Sequence, residues 1–539
     1  MTTNTKTAFY KMWAVCLALA LVLSMSITAF ASITQDTTGQ FTVTGFDTDP
    51  SLKIEVSAFQ IITVNVDNQA GQPAYPMYTW NASVAAWMRT NGYEQYINDT
   101  LGTNAVADRF DPEQVVATEM TAFLEKMTAA IKAGTISLTA TKTVEASEGS
   151  AVFTEMPMGE YLITAKGGVK IYQPTTAELV PQETEGEWEI VGDVYEMKST
   201  DPGITEKEGS TEEGDQTVAI GDTVNYMLTV RVPSYPADAS HTKFEVSDSM
   251  SSGLTFDGAD SIRVYSDKEK TNLISDDNYT VTAPSGTRTF SIAFKDQFTR
   301  NTEFATIYIV YSATVNPSAF EEDALGNQAF LGYNNDPYTE SDYETPGLEE
   351  DVYTYGIALT KIDKDHQPVT AADGDKRAQF TLSDNGTALA FTETETDGVY
   401  RYDASGSTAL EVAENGTLLL QGLDEGTYIL KETQAPEGYV LPTGEITIVI
   451  TDQEDGAADG MIDAANVTSS GTITICHPSV VDNAKNVVDF HVVNTSSEDA
   501  GFTLPVTGGM GTLIFTVAGV LLMAGAVVMV VLAKKKQVQ

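Results

Sequence analysis

Cysteine is nearly missing from this chain: 539 residues hold two, Cys16 and Cys476. Cys16 lies in an apolar stretch near the N-terminus, so the remainder has one thiol and no intrachain disulfide is open to it. Basic residues are scarce as well, 30 Lys and Arg against 76 Asp and Glu, for a formal charge of −46. That sign excludes nucleic-acid binding, which needs the opposite charge. It suits a well-solvated surface that resists self-association. Histidine is rare too. His241, His366, His477 and His491 show no metal-ligand spacing along the chain. Nucleophile elbows and phosphate-binding loops are missing. No cofactor is implied, and an enzyme is the least favoured function class.

What is present begins at the two ends. Lys6 and Lys11 precede the uncharged apolar stretch Met12 to Ile27, and Ala29-Phe30-Ala31 follows as a small-x-small cleavage site. This is the layout of a secretory signal peptide over residues 1–31, with the mature chain starting near Ser32. An uncleaved membrane anchor is the alternative, and the cleavage site argues against it.

At the other end, Gly511 to Ala533 is a run of 23 residues without a charge. It is long enough to cross the roughly 30 Å hydrocarbon core. Lys534, Lys535 and Lys536 follow at once, and the positive-inside rule puts them in the cytoplasm. Just before the run stands Leu504-Pro505-Val506-Thr507-Gly508. In that position it resembles the LPxTG cell-wall sorting signal of Gram-positive surface proteins. A GPI signal would end in its hydrophobic tail and needs no lysines. The resemblance implies that a membrane sortase attacks the carbonyl of Thr507 and releases the chain from Gly508 onward. The acyl group then passes to an amine on peptidoglycan or on a lysine of another subunit. The span serves only as transient membrane retention. The two removed segments take five lysines and no acidic residue with them, so 25 basic residues face 76 acidic ones. A secreted protein of this length without disulfides needs another source of resistance.

The remaining length suggests three domains. One break falls at Lys198-Ser-Thr-Asp-Pro-Gly and the acidic stretch Glu206 to Asp215, another in the turn-rich run Asn334 to Asp351. The expected layout is an N-terminal domain over 32–198, a middle domain over 199–347 and a C-terminal domain over 352–497. A stalk, the sorting signal and the tail occupy 498–539. Most of the chain reads as short strands: Val224, Tyr226, Leu228, Val230 and Val232 alternate with polar residues, as do Ile307, Ile309, Tyr311, Ala313 and Val315. Such period-2 patterns between Gly, Asp and Asn turns predict tandem immunoglobulin-like antiparallel β-sandwiches in a mostly β protein. The N-terminal domain is α+β. Asp111 reads as a helix N-cap with Pro112 after it. Val116, Met120, Phe123, Leu124, Met127 and Ile131 form a core-facing helical stripe that Gly134 stops.

Three strands of the C-terminal domain put a polar residue where an apolar one belongs. The alternation groups Tyr428, Leu430 and Glu432 on one face, Ile357, Leu359 and Lys361 on another, and Phe490, Val492 and Asn494 on a third. An ionised Glu there is costly unless paired or protonated. A buried salt bridge with a satisfied amide is one reading. The sequence Tyr428-Ile-Leu-Lys-Glu432-Thr-Gln-Ala-Pro436-Glu-Gly438-Tyr439 resembles the E-box of collagen-adhesin B-type domains and Gram-positive pilins. Lys361 and Asn494 stand where that family places its reactive pair. The resemblance implies an autocatalytic isopeptide bond from Lys361 to Asn494. Burial would lower the lysine pKa to free the attacking amine and raise that of Glu432 so that it can donate a proton. Lys364 is the other candidate nucleophile.

The middle domain carries a second version. Ala219-Ile-Gly-Asp-Thr-Val-Asn-Tyr with Val230-Arg-Val-Pro233 resembles the second domain of fimbrial backbone subunits. This implies Asp248 as proton donor, Asn327 as amide partner and Lys207 as nucleophile, although Lys207 sits in a polar context. In the N-terminal domain Gly159-Glu-Tyr-Leu-Ile lacks the E-box sequel, and Glu160 reads as exposed. Asp452-Gln-Glu-Asp-Gly has a calcium-loop flavour but reads as a solvated turn.

Backbone pilins carry an acceptor lysine in a Val-Tyr-Pro-Lys motif near the end of the first domain. Val194-Tyr-Glu-Met-Lys198 stands at that place, without the proline and one residue longer; Lys166 and Lys170 are nearby alternatives. The chain is thus similar to a sortase-assembled fimbrial backbone pilin. Its expected partners are sortase, further copies of itself, peptidoglycan and a host surface ligand. The competing expectation is a wall-anchored monomeric adhesin or minor pilin whose sandwiches form a stalk.

Overall fold

A computed structural model describes residues 32–499 apart from 108–116, 185, 213, 283–285, 301–302, 323, 373, 453–457, 464–465 and 482–486. The expected signal peptide, the helix start at Asp111, Pro112 and Val116, the pentapeptide 504–508 and the span 511–533 lie outside the described residues. Among the described residues no helix is long and apolar enough to cross a membrane. Strand dominates throughout, as the period-2 patterns predict.

Two compact units are present. The first holds the described residues up to Gly214 together with Thr223–Thr314 and Leu325–Asp351. Its N-terminal portion is built on the long strand Ile54–Asp67, which pairs with Gln72–Trp80 and Gly159–Gly167 in one sheet. The helices Ala82–Thr90 and Ala117–Lys132 pack with that sheet through a shared core that includes Phe59, Trp80, Trp87, Phe123 and Met127. The expected helical stripe is core from Phe123 to Ile131, and Met120 is partly buried against it. Each large side chain so buried contributes about 1.5–3 kcal/mol.

The middle portion of the same unit is a sandwich. One sheet runs in the order Gly203–Ser210, Thr223–Arg231, Thr306–Val315, Leu254–Phe256. The other runs Tyr279–Thr282, Phe290–Phe294, Phe244–Met250, Leu325–Tyr333, Tyr343–Glu344. Inward positions are those read from the alternation: Tyr226, Leu228, Val230, Ile307, Ile309, Tyr311 and Ala313 are all buried. The acidic stretch from Glu206, read as a break, instead begins inside the strand Gly203–Ser210, and the run from Asn334 contains the strands Tyr343–Glu344 and Leu348–Val352.

The second unit comprises Asp215–Asp222, Val315–Ala324 and the described residues from Val352 on. It too is a sandwich of two sheets. The first has the order Phe391–Glu393, Val399–Tyr402, Thr417–Leu423, Tyr355–Ile362, Val487–Val493, Thr474–Val481. The second runs Thr387–Ala388, Gln379–Asp384, Gly426–Gln434, Ile446–Ile450, Asn466–Ser469. Between them lies one core that includes Tyr355, Leu359, Phe380, Leu430, Ile448 and Phe490. The first strand, Tyr355–Ile362, runs parallel to the last, Val487–Val493, with Lys361 opposite Val492.

Candidate functional site

Lys361, Glu432 and Asn494 come together inside the C-terminal sandwich. Lys361 and Glu432 expose only 1% of their side chains, and Nζ lies 2.6 Å from Oε2. The amide of Asn494 donates to Oε1 of Glu432 at 3.5 Å. Glu432 therefore touches both other members. The side-chain oxygen of Asn494 is buried without a hydrogen-bond partner among the described residues. Phe380 packs its ring 5.3 Å from the lysine nitrogen. Burial pulls the Lys361 amine below its ordinary range, and Glu432 opposes this only in part.

Local sequence explains the arrangement. Gly416 accepts from the Lys361 N–H at 2.8 Å. It adopts φ +82, and a Cβ there would come 2.5 Å from the Val369 carbonyl, so only glycine lets that strand close on Lys361. The E-box sequel works on the opposite partner. After the turn at Pro436, Val440 donates to Thr495 at 3.1 Å and Gly438 accepts from Ser497 at 2.9 Å. These bonds hold the chain just past Asn494, while the Asn494 N–H donates to Ile362 at 2.8 Å. The alternative nucleophile Lys364 lies outside this pocket: its exposed amine pairs with Asp499 at 2.8 Å.

The middle sandwich gathers a second cluster. Nζ of Lys207 lies 3.1 Å from Oδ2 of Asp248, with neither side chain exposed. Tyr311 donates to the same oxygen at 2.6 Å and accepts from the Asn327 amide at 3.3 Å. Asp248 and Asn327 each keep one buried oxygen without a partner among the described residues. Burial lowers Lys207 to about 8, against the opposing pull of Asp248, and raises the Asp248 carboxyl. The Tyr311 phenol is held well above its ordinary range by burial and then by the Asp248 carboxylate, so it remains a donor.

The alternation marks neither Lys207, which only the family resemblance pointed to, nor Tyr311, and the structure shows why. The strand Gly203–Ser210 shifts register between Ile204 and Glu206, which breaks its alternation. Its inward neighbour is Gly209, where a Cβ would come 2.6 Å from the Tyr226 ring, so no apolar side chain marks the face. Tyr311 lies on an apolar face with Ile307 and Ile309 and reads as ordinary core.

Other candidates are placed as follows. Lys198 is exposed, and its carbonyl accepts from Gln173 at 2.9 Å, which orders the backbone at that point. Lys166 pairs with Glu55 at 3.2 Å and Lys170 with Asp47 at 2.7 Å. Glu160 is not exposed, contrary to its reading from sequence: it is half-buried, directly opposite Glu178. Burial and that second carboxyl push its pKa up to about 8. Asp452 is not a solvated turn residue either. It is buried, receives the Tyr355 hydroxyl, and accepts from Gly460 N–H at 2.9 Å; residues 453–457 of the suspected loop lie outside the described residues.

Comparison with known proteins agrees with this architecture. Residues 220–337 match the model of the Gram-positive pilin backbone subunit 2, Cna-B-like domain. Residues 356–463 match a prealbumin-like fold domain, and 496–538 match the LPXTG cell wall anchor motif. The trypsin-resistant surface T6 protein of Streptococcus pyogenes serotype M6 is 23% identical, over 97% of this chain and 99% of that protein. Fimbrial subunit type 1 of Actinomyces viscosus is 24% identical over 76% of this chain and 79% of its own length. The solved three-domain T6 backbone pilin superposes with a TM-score of 0.53 at 19% identity, covering 84% of each chain, and so shares the fold. In its middle and C-terminal domains and its anchor motif, the chain is similar to the backbone subunits of Gram-positive pili.

Proposed function

We propose that this chain is the repeating shaft subunit of a covalently polymerised pilus. A sortase would cut it after Thr507 and join it to Lys198 of the next copy or, at the base, to peptidoglycan. Two intramolecular Lys–Asn isopeptide bonds would harden each subunit, and the fibre would serve adhesion to a host surface ligand. The observation that carries the reading is the recurrence, in two separate sandwiches, of a buried lysine–carboxyl pair with a buried asparagine amide, bonded directly to the carboxyl in one and through the Tyr311 hydroxyl in the other.

The chemistry asks little of each cluster beyond desolvation. Neutral Nζ of Lys361 adds to Cγ of Asn494 and forms the new C–N bond. Glu432, in contact with both groups, polarises the amide. The proton shed by the amine passes through the carboxyl to Nδ2, the Cγ–Nδ2 bond breaks, and ammonia leaves. One amine and one primary amide give one secondary amide and one ammonia, and Glu432 returns to its starting state. Lys207, Asp248 and Asn327 would react in the same way, with Tyr311 orienting the carboxyl and the amide.

The polymer is tested on cell-wall extracts boiled in denaturant, from cells with a native pilus sortase. A ladder of covalent multimers is expected. Lys198→Ala should reduce it to a wall-linked monomer, whereas Thr507→Ala should remove polymer and wall linkage together. The asymmetry follows because Thr507 supplies the acyl group for every transfer and Lys198 only one of two competing amines. A head-to-tail linkage of this kind is open-ended and builds a filament. A wild-type chain that gives no ladder is instead the wall-anchored adhesin.

A further inference from the structure

Three of the four histidines and the lone thiol outside the N-terminal segment meet at one edge of the C-terminal sandwich. The edge strand Thr474–Val481 pairs with Val487–Val493, and Cys476 is the cross-strand partner of His491. The ring of His477 stands 5.5 Å from that of His491 and 6.1 Å from that of His366. One ligand atom from each of His366, Cys476 and His477 lies within 4.8 Å of the others. The two histidines are exposed and the cysteine is half-buried, so an ion can reach all three from solvent.

The backbone is bent to allow this. In a regular strand Cys476 and His477 would project to opposite faces. Here the register shifts between Cys476 and Ser479, and His477 adopts φ +55. His366 also lies in the left-handed region, at φ +60, inside the turn closed by Asp363 and Gln367. Left-handed backbone at a non-glycine residue costs free energy, and bulges of this kind re-aim side chains beside functional sites.

We infer that His366, Cys476 and His477 bind a divalent transition-metal ion of the zinc type, with water in the fourth position. Imidazole and thiolate are the donors that such ions select, whereas calcium and magnesium take oxygen ligands. Tetrahedral bonds of about 2.0–2.1 Å to nitrogen and 2.3 Å to sulfur need ligand atoms about 3.4–3.6 Å apart. From separations of up to 4.8 Å the trio must contract by about 1.2–1.4 Å at most, within reach of rotating the exposed imidazoles. On binding, the Cys476 thiol gives its proton to solvent and the thiolate coordinates. The strongly acidic chain favours cation approach. A bound ion ties the turn after the Tyr355–Ile362 strand to the final hairpin.

The test uses the full chain, purified in detergent, reduced, stripped with a chelator and titrated with Co(II). The expected result is one cobalt per chain with a thiolate-to-cobalt charge-transfer band in the near ultraviolet, displaced by Zn(II). Cys476→Ser should remove that band. His366→Ala and His477→Ala should each weaken Zn(II) binding about tenfold or more, since even supporting residues at such sites matter that much. His241→Ala, in the other unit, should change nothing. No charge-transfer band in the wild type, or a band that survives Cys476→Ser, overturns the inference. So does Zn(II) affinity unmoved by the loss of His366.

Discussion

Lys361 and Glu432 meet across the C-terminal sandwich, Nζ to Oε2 at 2.6 Å, although their strands belong to different sheets. Asn494 follows the strand paired with that of Lys361, so Lys361 and Asn494 share a sheet and Glu432 reaches them from the facing one. The middle sandwich divides the roles differently. There Lys207 stands on one sheet while Asp248 and Asn327 stand on the other. A bond between Lys361 and Asn494 would stitch neighbouring parallel strands; one between Lys207 and Asn327 would cross the sandwich.

The first prediction concerns mass. The secreted ectodomain should be lighter than its sequence by two ammonias. Glu432→Ala should restore one and Asp248→Ala the other, as read by intact-protein mass spectrometry. Full sequence mass in the wild type would leave two buried ion pairs and no crosslink.

Stability separates the bond from the ion pair. Closing the chain between residues 361 and 494 limits the unfolded state, an effect of about 4–5 kcal/mol for a loop of this size. Glu432→Ala removes that and also leaves the Lys361 amine buried without its hydrogen-bond partner, a further cost of about 1–3 kcal/mol. The double variant Lys361→Met with Glu432→Leu avoids the second cost. Thermal melting and protease digestion should therefore rank wild type above the double variant and the double variant above Glu432→Ala. The effect should be confined to the C-terminal domain.

Tyr311 offers a test of the middle cluster that leaves its three reacting groups intact. Its hydroxyl bonds both Asp248 and Asn327. A hydrogen bond to a charged group contributes about 1.5–3 kcal/mol, so Tyr311→Phe should slow formation of that bond by about ten- to a hundredfold. A mass time course after refolding measures this. An unchanged rate would reduce Tyr311 to core packing.

Glu160 predicts a pH dependence in the N-terminal domain. Its folded pKa, about 8, lies above the ordinary carboxyl range. A raised carboxyl contributes stability that is fully present below its unfolded pKa and is lost as pH rises through the folded value. The melting temperature of this domain should fall from about pH 5 to pH 8, and Glu160→Gln should flatten the profile. A wild-type profile already flat over that range would contradict the assignment.

Sequence alone determined the class of structure; its periodicity marked the more regular of the two clusters, and only resemblance pointed to Lys207, Asp248 and Asn327 in the other. Lys361, Glu432 and Asn494 stand out because each interrupts an apolar face in a clean period-2 strand, and burial is what that period encodes. Lys207 carries no such mark, because the register shift after Ile204 and the bare Gly209 erase the face on which it lies. Tyr311 has the opposite problem: an aromatic ring on an apolar face looks like core, and only its hydroxyl's neighbours reveal another role. Glu160 was misread because exposure depends on the strand laid beside it, here the one bearing Glu178. The histidines are the extreme case. His366 and His477 are more than a hundred residues apart in the chain, and left-handed backbone at both brings their rings beside Cys476. Periodicity reports which face a side chain occupies; which residues share a pocket is decided by strand order and register, and these are properties of the folded chain.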